Sequence, residues 1–265
     1  MSGRRQRSGN FGRLHRQTCA TFYDQKPANL QGNTDRAGIT MTAPFEEWIE
    51  IQRSICKQRL RASISATHLT HVRSAFSQTV RPAKGSVLAS PVSAHWDPEP
   101  DYFYHWARDS AIVMGAVVDL ARSSETMAER EEWVQSFKDY AAFSLATLNP
   151  EEKLQGNPLL SSTQTGLQQY LRSDLEIAQL QGDAVLKEPR CNPDGTPDLQ
   201  NWARPQLDGP ALRALTCLRF LHFFKDEDKI VKPLLEKDLS FTSRHADKAC
   251  IGPWEEDNQI DQHYF

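Results

Sequence analysis

Apolar side chains recur at helical spacing along most of the organised part of this chain, and strand-like alternation is scarce. Trp133, Phe137, Tyr140, Ala141 and Leu145 make one stripe, which predicts a helix over Thr126–Leu148. Similar spacing predicts helices over Arg108–Ala121 and Asp228–Leu239, the latter with Ile230, Leu234 and Leu235 inward. Another starts after Asp208, with Pro210 in its first turn and Leu212, Leu215, Leu218 and Leu221 on its apolar faces. Phe45, Trp48, Ile49, Ile55 and Leu60 predict an earlier helix after the start signals Thr42 and Pro44. The fold class is therefore all-α, with long polar loops over residues 79–105 and 149–204, the second holding one short helix near Gln168–Leu180. Loops of such length inside a compact domain are uncommon and often functional.

Composition narrows the function classes. Hydrophobic residues at 39% and charged ones at 25% describe a globular chain with a core to bury. A net charge of −3, from 31 basic and 34 acidic residues, argues against a general nucleic-acid binder, which needs a basic excess. The longest apolar run, Ala111–Val118, is far short of the about 20 residues that span a bilayer. The five cysteines are scattered without metal-ligand spacing, so free thiols are expected and no metal site. Residues 1–43 read as a basic, disordered extension without a hydrophobic signal-peptide core. Their Arg-rich start has some likeness to an organellar transit peptide, although a cytoplasmic location is the expectation.

Three clusters carry candidate chemistry. Asp101-Tyr-Phe-Tyr-His-Trp-Ala-Arg-Asp-Ser110 sets Tyr102, Tyr104 and Trp106 beside Arg108 and Asp109 at a loop-to-helix junction. Aromatic faces pack on the C–H faces of a pyranose, while carboxylate and guanidinium groups bind its hydroxyls. The same residues also suit an aromatic core edge, with Asp109 or Ser110 capping the helix. Trp202-Ala-Arg-Pro-Gln-Leu-Asp-Gly-Pro210 places Trp202, Arg204 and Gln206 in a loop ahead of Asp208, an expected N-cap. Gly252-Pro-Trp-Glu-Glu256 follows Trp254 with two carboxylates, a setting for a general acid or for an ordinary charged turn. His105 sits inside the first cluster, and His68 and His71 read as surface residues. Phosphate-loop, dinucleotide-binding and nucleophile-elbow patterns are missing.

In order, these stretches together with Val87-Leu-Ala-Ser-Pro91 resemble glycoside hydrolase family 15, the glucoamylase family. The resemblance covers about residues 44–265. It implies an (α/α)6 barrel of six helical hairpins, of which about half would be present here. It also implies exo-hydrolysis of α-1,4-glucans such as starch or glycogen from their non-reducing ends, by an inverting mechanism. By this resemblance Glu255 is the general acid and Glu256 the neighbouring substrate-binding carboxylate. Arg108 and Asp109 hold the terminal glucose, Tyr102, Tyr104 and Trp106 wall it, Trp202 and Trp254 flank the acid, and Arg204 shares Trp202's loop.

Gly252-Pro253 replaces the family's usual Asp-Leu, and no residue matches its catalytic base, which lies farther downstream. An inverting enzyme needs its two carboxyl groups about 6.5–9.5 Å apart with a water between base and sugar, which adjacent glutamates cannot provide. The expected chain is thus the N-terminal half of such a hydrolase, inactive alone and needing no cofactor. Its apolar helix faces would be left open to self-association. A different class remains open: a non-catalytic glucan-binding or regulatory module, as in regulatory subunits of phosphorylase kinase. Trehalase and dextran or isomaltose glucosidase activities also remain open, since these motifs specify mainly the first glucose.

Overall fold

The computed structural model describes residues 45–91, 101–149, 153–225, 228–253 and 255. Contacts divide the chain into Met1–Trp48 and Ile49–Phe265, and the architecture below is that of the second unit together with the first turn of the helix that leads into it. Helix α1 (Phe45–Ser63) precedes a two-stranded antiparallel ribbon, β1 (His71–Arg73) and β2 (Gln78–Val80), in which His71 faces Val80. A second, minimal ribbon pairs β3 (His105–Trp106) with β4 (Arg190–Cys191), so that Trp106 lies opposite Arg190. Between these come α2 (Ala107–Ser123) and α3 (Met127–Thr147), then the short helices α4 (Asp174–Ala178) and α5 (Asp183–Leu186). After β4 follow α6 (Asp208–Phe223) and α7 (Asp228–His245).

Four helices form the body. α2 and α3 make one hairpin and α6 and α7 another; α2 also packs on α6, and α3 on α7. α2 and α6 run parallel: Arg108 meets Asp208 at their starts, Thr216 donates to the Ala111 carbonyl midway, and Arg219 pairs with Asp119 near their ends. Trp133, Phe137, Tyr140 and Ala141 of the predicted α3 stripe lie in the core between them. Met114, Val117, Trp133, Phe137, Tyr140, Cys217, Phe220, Val231 and Leu234 are buried together, with Phe137 and Phe220 stacked at 4.0 Å. Thr126 caps α3 by accepting from the Glu129 N–H. Arg213 and Asp238 form a buried bidentate pair, both contacts at 2.7 Å, that ties α6 to α7.

Several expectations are corrected. The last helix runs six residues beyond Leu239, because Phe241 is buried and extends its apolar face. On α6, Leu215 and Leu218 are 55% and 47% exposed, as is Ile112 of α2 at 62%, so part of the apolar pattern faces outward. Asp208 is not the N-cap; Leu207 is, without a side-chain bond, and the Asp208 carboxylate turns to Arg108 instead. Nor do Asp109 or Ser110 cap α2, whose N-cap is Trp106. Cys56, Cys191, Cys217 and Cys250 are free thiols, and Cys19 lies outside the described residues. No described helix is long and apolar enough to cross a membrane.

The parallel pair closes tightly at its N-terminal end. A Cβ on Gly209 would sit 2.6 Å from the Ala107 Cβ, a distance that only parting the two helices can relieve. Gly209→Ala is expected to destabilise the fold by about 1–3 kcal/mol, the usual cost of overpacking. The control is Gly115→Ala, where the nearest atom is the flexible end of Arg219 at 3.4 Å; it should be neutral or stabilising. Urea denaturation of both variants checks this, and a Gly209→Ala protein as stable as the parent would contradict it.

Candidate active site

The site is assembled where α2 and α6 begin. The segment 87–90 runs beside residues 102–105, with the Ala89 and Ser90 N–H groups donating to the Tyr104 and Tyr102 carbonyls and Val87 N–H to His105 Nδ1. That bond leaves the other ring nitrogen to carry the proton. Burial, seconded by the Arg213 charge, pushes His105 down to about 3, so it stays neutral. It supports the aromatic segment from behind, between Tyr140 and Phe143.

Polar pairs hold the loops. Arg73 donates through Nε to Asp101 Oδ2 at 2.6 Å, and His71 Nε2 lies 3.0 Å from the same oxygen. His71 is thus buried rather than a surface residue, because Asp101 draws it inward. Burial works against the Asp101 carboxylate, yet His71 and Arg73 outweigh it and hold the group well below the usual range. On the other side, Asp198 accepts from Arg190 at 2.8 Å and Arg204 at 3.0 Å, while Glu188 takes Arg172 at 2.8 Å and Arg204 at 3.1 Å. Arg204 therefore serves its own loop's geometry, also donating to the Gln200 and Trp202 carbonyls.

The aromatic residues converge on Glu255. Trp202 Nε1 donates to Glu255 Oε2 at 2.7 Å; Gln206 Nε2 and Trp106 Nε1 donate to Oε1 at 2.6 and 3.4 Å. Arg108 Nη2 lies 3.7 Å from the same carboxylate, and its Nη1 reaches Asp208 at 3.1 Å and Gln206 at 2.9 Å. Burial opposes the Arg108 charge, but Asp208 more than offsets it, and the guanidinium is held firmly protonated. Tyr102 packs on Trp106 at 5.8 Å and edge-on to Trp202 at 6.5 Å. Tyr104 is 1% exposed and lies between the Arg73 and Arg190 guanidiniums, so it backs the wall instead of facing outward. Asp109 is half-buried, 3.4 Å from Arg108 Nε. Glu255 itself adopts a left-handed φ of 53° in a turn closed by its N–H on the Gly252 carbonyl. Trp254 and Glu256 lie outside the described residues.

A cavity of about 70 Å3 beneath this cluster, lined by His105, Glu188, Arg190 and Cys191, is well below the about 300 Å3 at which ligand pockets begin. The open side of the cluster holds the partly exposed Arg108, Asp109 and Trp202, with Trp106 buried behind them. Gln206, Asp208 and Arg190 carry more of this geometry than their sequence context indicated. Gln206 stood in the right loop, but nothing local ties Arg190 to the Tyr104 and Trp106 rings, which lie far earlier in the chain.

The model of the glycosyl hydrolases family 15 matches residues 68–264. The chain belongs to that family. It is 29% identical to glucoamylase-1 of Arthroderma benhamiae over 66% of its own length and 24% of the relative's. To the intracellular sporulation-specific glucoamylase of Saccharomyces cerevisiae it is 26% identical, over 87% of this chain and 37% of that one. The solved structure of Hormoconis resinae glucoamylase matches 80% of this chain and 30% of its own, at 25% identity and a TM-score of 0.54. The chain spans well under half the length of these relatives.

Within this cluster, Asp109 has a cost that pH can reveal. Burial pushes its carboxyl above the ordinary value, against the pull of Arg108. The ionised form is therefore disfavoured in the fold at neutral pH, and that penalty fades as pH falls through the raised pKa. Asp109→Asn is expected to melt at a higher temperature than the parent at pH 7, with the gain vanishing on acidification. Thermal melts from pH 3 to 7 check this; a variant that melts lower at pH 7 would contradict it.

Proposed function

We propose that this chain is the acid-bearing half of an exo-acting α-glucan hydrolase that removes glucose from non-reducing ends of α-1,4-glucans with inversion. The observation that supports this best is the Glu255 carboxyl, aimed by two indoles and an amide beside an Arg–Asp pair. In this reading Glu255 protonates the glycosidic oxygen while Arg108 and Asp109 hold hydroxyls of the terminal glucose, with charge-assisted hydrogen bonds fixing its orientation. Tyr102 and Trp202 form the wall on which the ring packs, backed by the buried Trp106, and Trp254 and Glu256 complete it. Glu255 in its turn with Gly252 keeps the acid loop closed despite the Gly252-Pro253 replacement.

The reaction needs a base across the sugar, at the spacing an inverting mechanism requires. The 265-residue segment contributes the acid side alone, so it binds glucan without steady turnover. In the same reading residues 1–43 are an extension and residues 44–265 part of an (α/α)6 barrel, whose remaining hairpins would cover Ile112, Leu215 and Leu218. Left uncovered, these faces favour self-association. A cytoplasmic place is favoured by likeness to an intracellular yeast glucoamylase.

Maltoheptaose tests the proposal. The purified chain should bind it in calorimetry and release no glucose beyond background, and Arg108→Ala should weaken binding about tenfold or more, as expected for a lost charge-assisted pair of about 1.5–3 kcal/mol. Steady glucose release that Glu255→Gln abolishes would overturn the claim of inactivity, and failure of the folded chain to bind would overturn the glucan reading. Binding with no loss in Arg108→Ala would instead favour a non-catalytic module that holds glucan elsewhere.

A further inference from the structure

We propose that Arg190 is a positioning residue for the acid: it holds Trp106 and Trp202 as a pair so that both indole N–H groups point at Glu255. The inference rests on the reading of Glu255 as the acid and adds the group that aims it.

The β3–β4 register brings Arg190 opposite Trp106. Its side chain is 1% exposed. The guanidinium carbon stands 3.9 Å from the centre of the Trp202 ring, 4.0 Å from that of Tyr104 and 4.9 Å from that of Trp106. A single cation thus joins three aromatic rings from two distant parts of the chain, out of water, where attraction to ring faces is strongest. Trp202 lies in a stretch with neither helix nor strand, so no ladder of backbone bonds fixes its ring. The two indoles meet edge to face at 5.8 Å, and each ends on a different Glu255 oxygen. Asp198 balances the charge by accepting from Arg190 Nε, which leaves the flat face of the guanidinium for the rings. A lysine ammonium has no such face, so charge alone would not reproduce the arrangement.

Arg190→Met is a usable variant because Asp198 keeps Arg204 and the Gln200 N–H as partners. The test is the indole N–H spectrum of the 15N-tryptophan-labelled chain, with Trp106, Trp133 and Trp202 assigned by Trp→Phe substitution. Glu255→Gln marks the signals that sense the carboxyl. In Arg190→Met the Trp106 and Trp202 signals should move and broaden, while Trp133 in the helical core stays in place. Maltoheptaose affinity should fall about tenfold, that is by about 1.4 kcal/mol. Arg190→Lys should shift the same two signals by less and restore part of the affinity.

Unmoved Trp106 and Trp202 signals in Arg190→Met would overturn the proposal. If Trp133 also moves there, Arg190→Lys decides: displacement of the two site indoles alone supports the assignment. Stationary site indoles, or a collapse of all three signals, reduces Arg190 to a structural residue. The spectra need no sugar. Responsive indoles in a parent chain that binds no maltoheptaose would keep the clamp and sink the glucan reading, and the reverse pattern would do the opposite.

Discussion

The structure depends on two helix N-termini packed side by side. α2 and α6 can begin together only because Gly209 offers no side chain to Ala107. Their aligned backbone dipoles add at one end, which favours negative charge there. Asp109 and Asp208 sit in the first turns, and Glu255 arrives from a distant turn. Arg108 stands among all three carboxylates and offsets part of their mutual repulsion. The chemistry is thus set up by helix geometry, and the loops serve to deliver groups to it.

Those loops contain little apolar material, and buried ion pairs shape them instead. Arg73 with Asp101 and His71, and Arg190 and Arg204 with Asp198, take charges out of water and surround each with hydrogen bonds. Buried pairs of this kind add little net stability over apolar packing. What they supply here is direction, since each fixes where a neighbouring ring or carbonyl must lie. The Asn192 side chain ties Arg73 to the loop before Asp198, accepting from Arg73 and donating to the Pro197 carbonyl.

Much of this was legible in the sequence. The helical stripes of α3 and α7 appear with their buried members near the expected places, because local periodicity reports local structure; on α6 the buried face is Ala214, Cys217 and Phe220 instead of the expected leucines. The aromatic and Arg–Asp cluster was legible too, since it is contiguous. What escaped was long-range pairing. His71 looked like a surface histidine until Asp101, thirty residues away, drew it inward. Asp208 had the sequence of a cap, yet Arg108 competes for its carboxylate more strongly than its own backbone does. Leu215 and Leu218 fit an apolar face that the described part of the chain does not cover. No spacing rule links Arg190 to Trp202, because an irregular loop separates them.

Saturation-transfer NMR on maltoheptaose mixed with the folded chain tests the central claim most directly. If the helix N-termini and the Glu255 cluster form the terminal-glucose site, magnetisation should pass mainly to protons of the non-reducing glucose and fade along the chain. Equal transfer to all seven rings, or strongest transfer at the reducing end, would contradict the account.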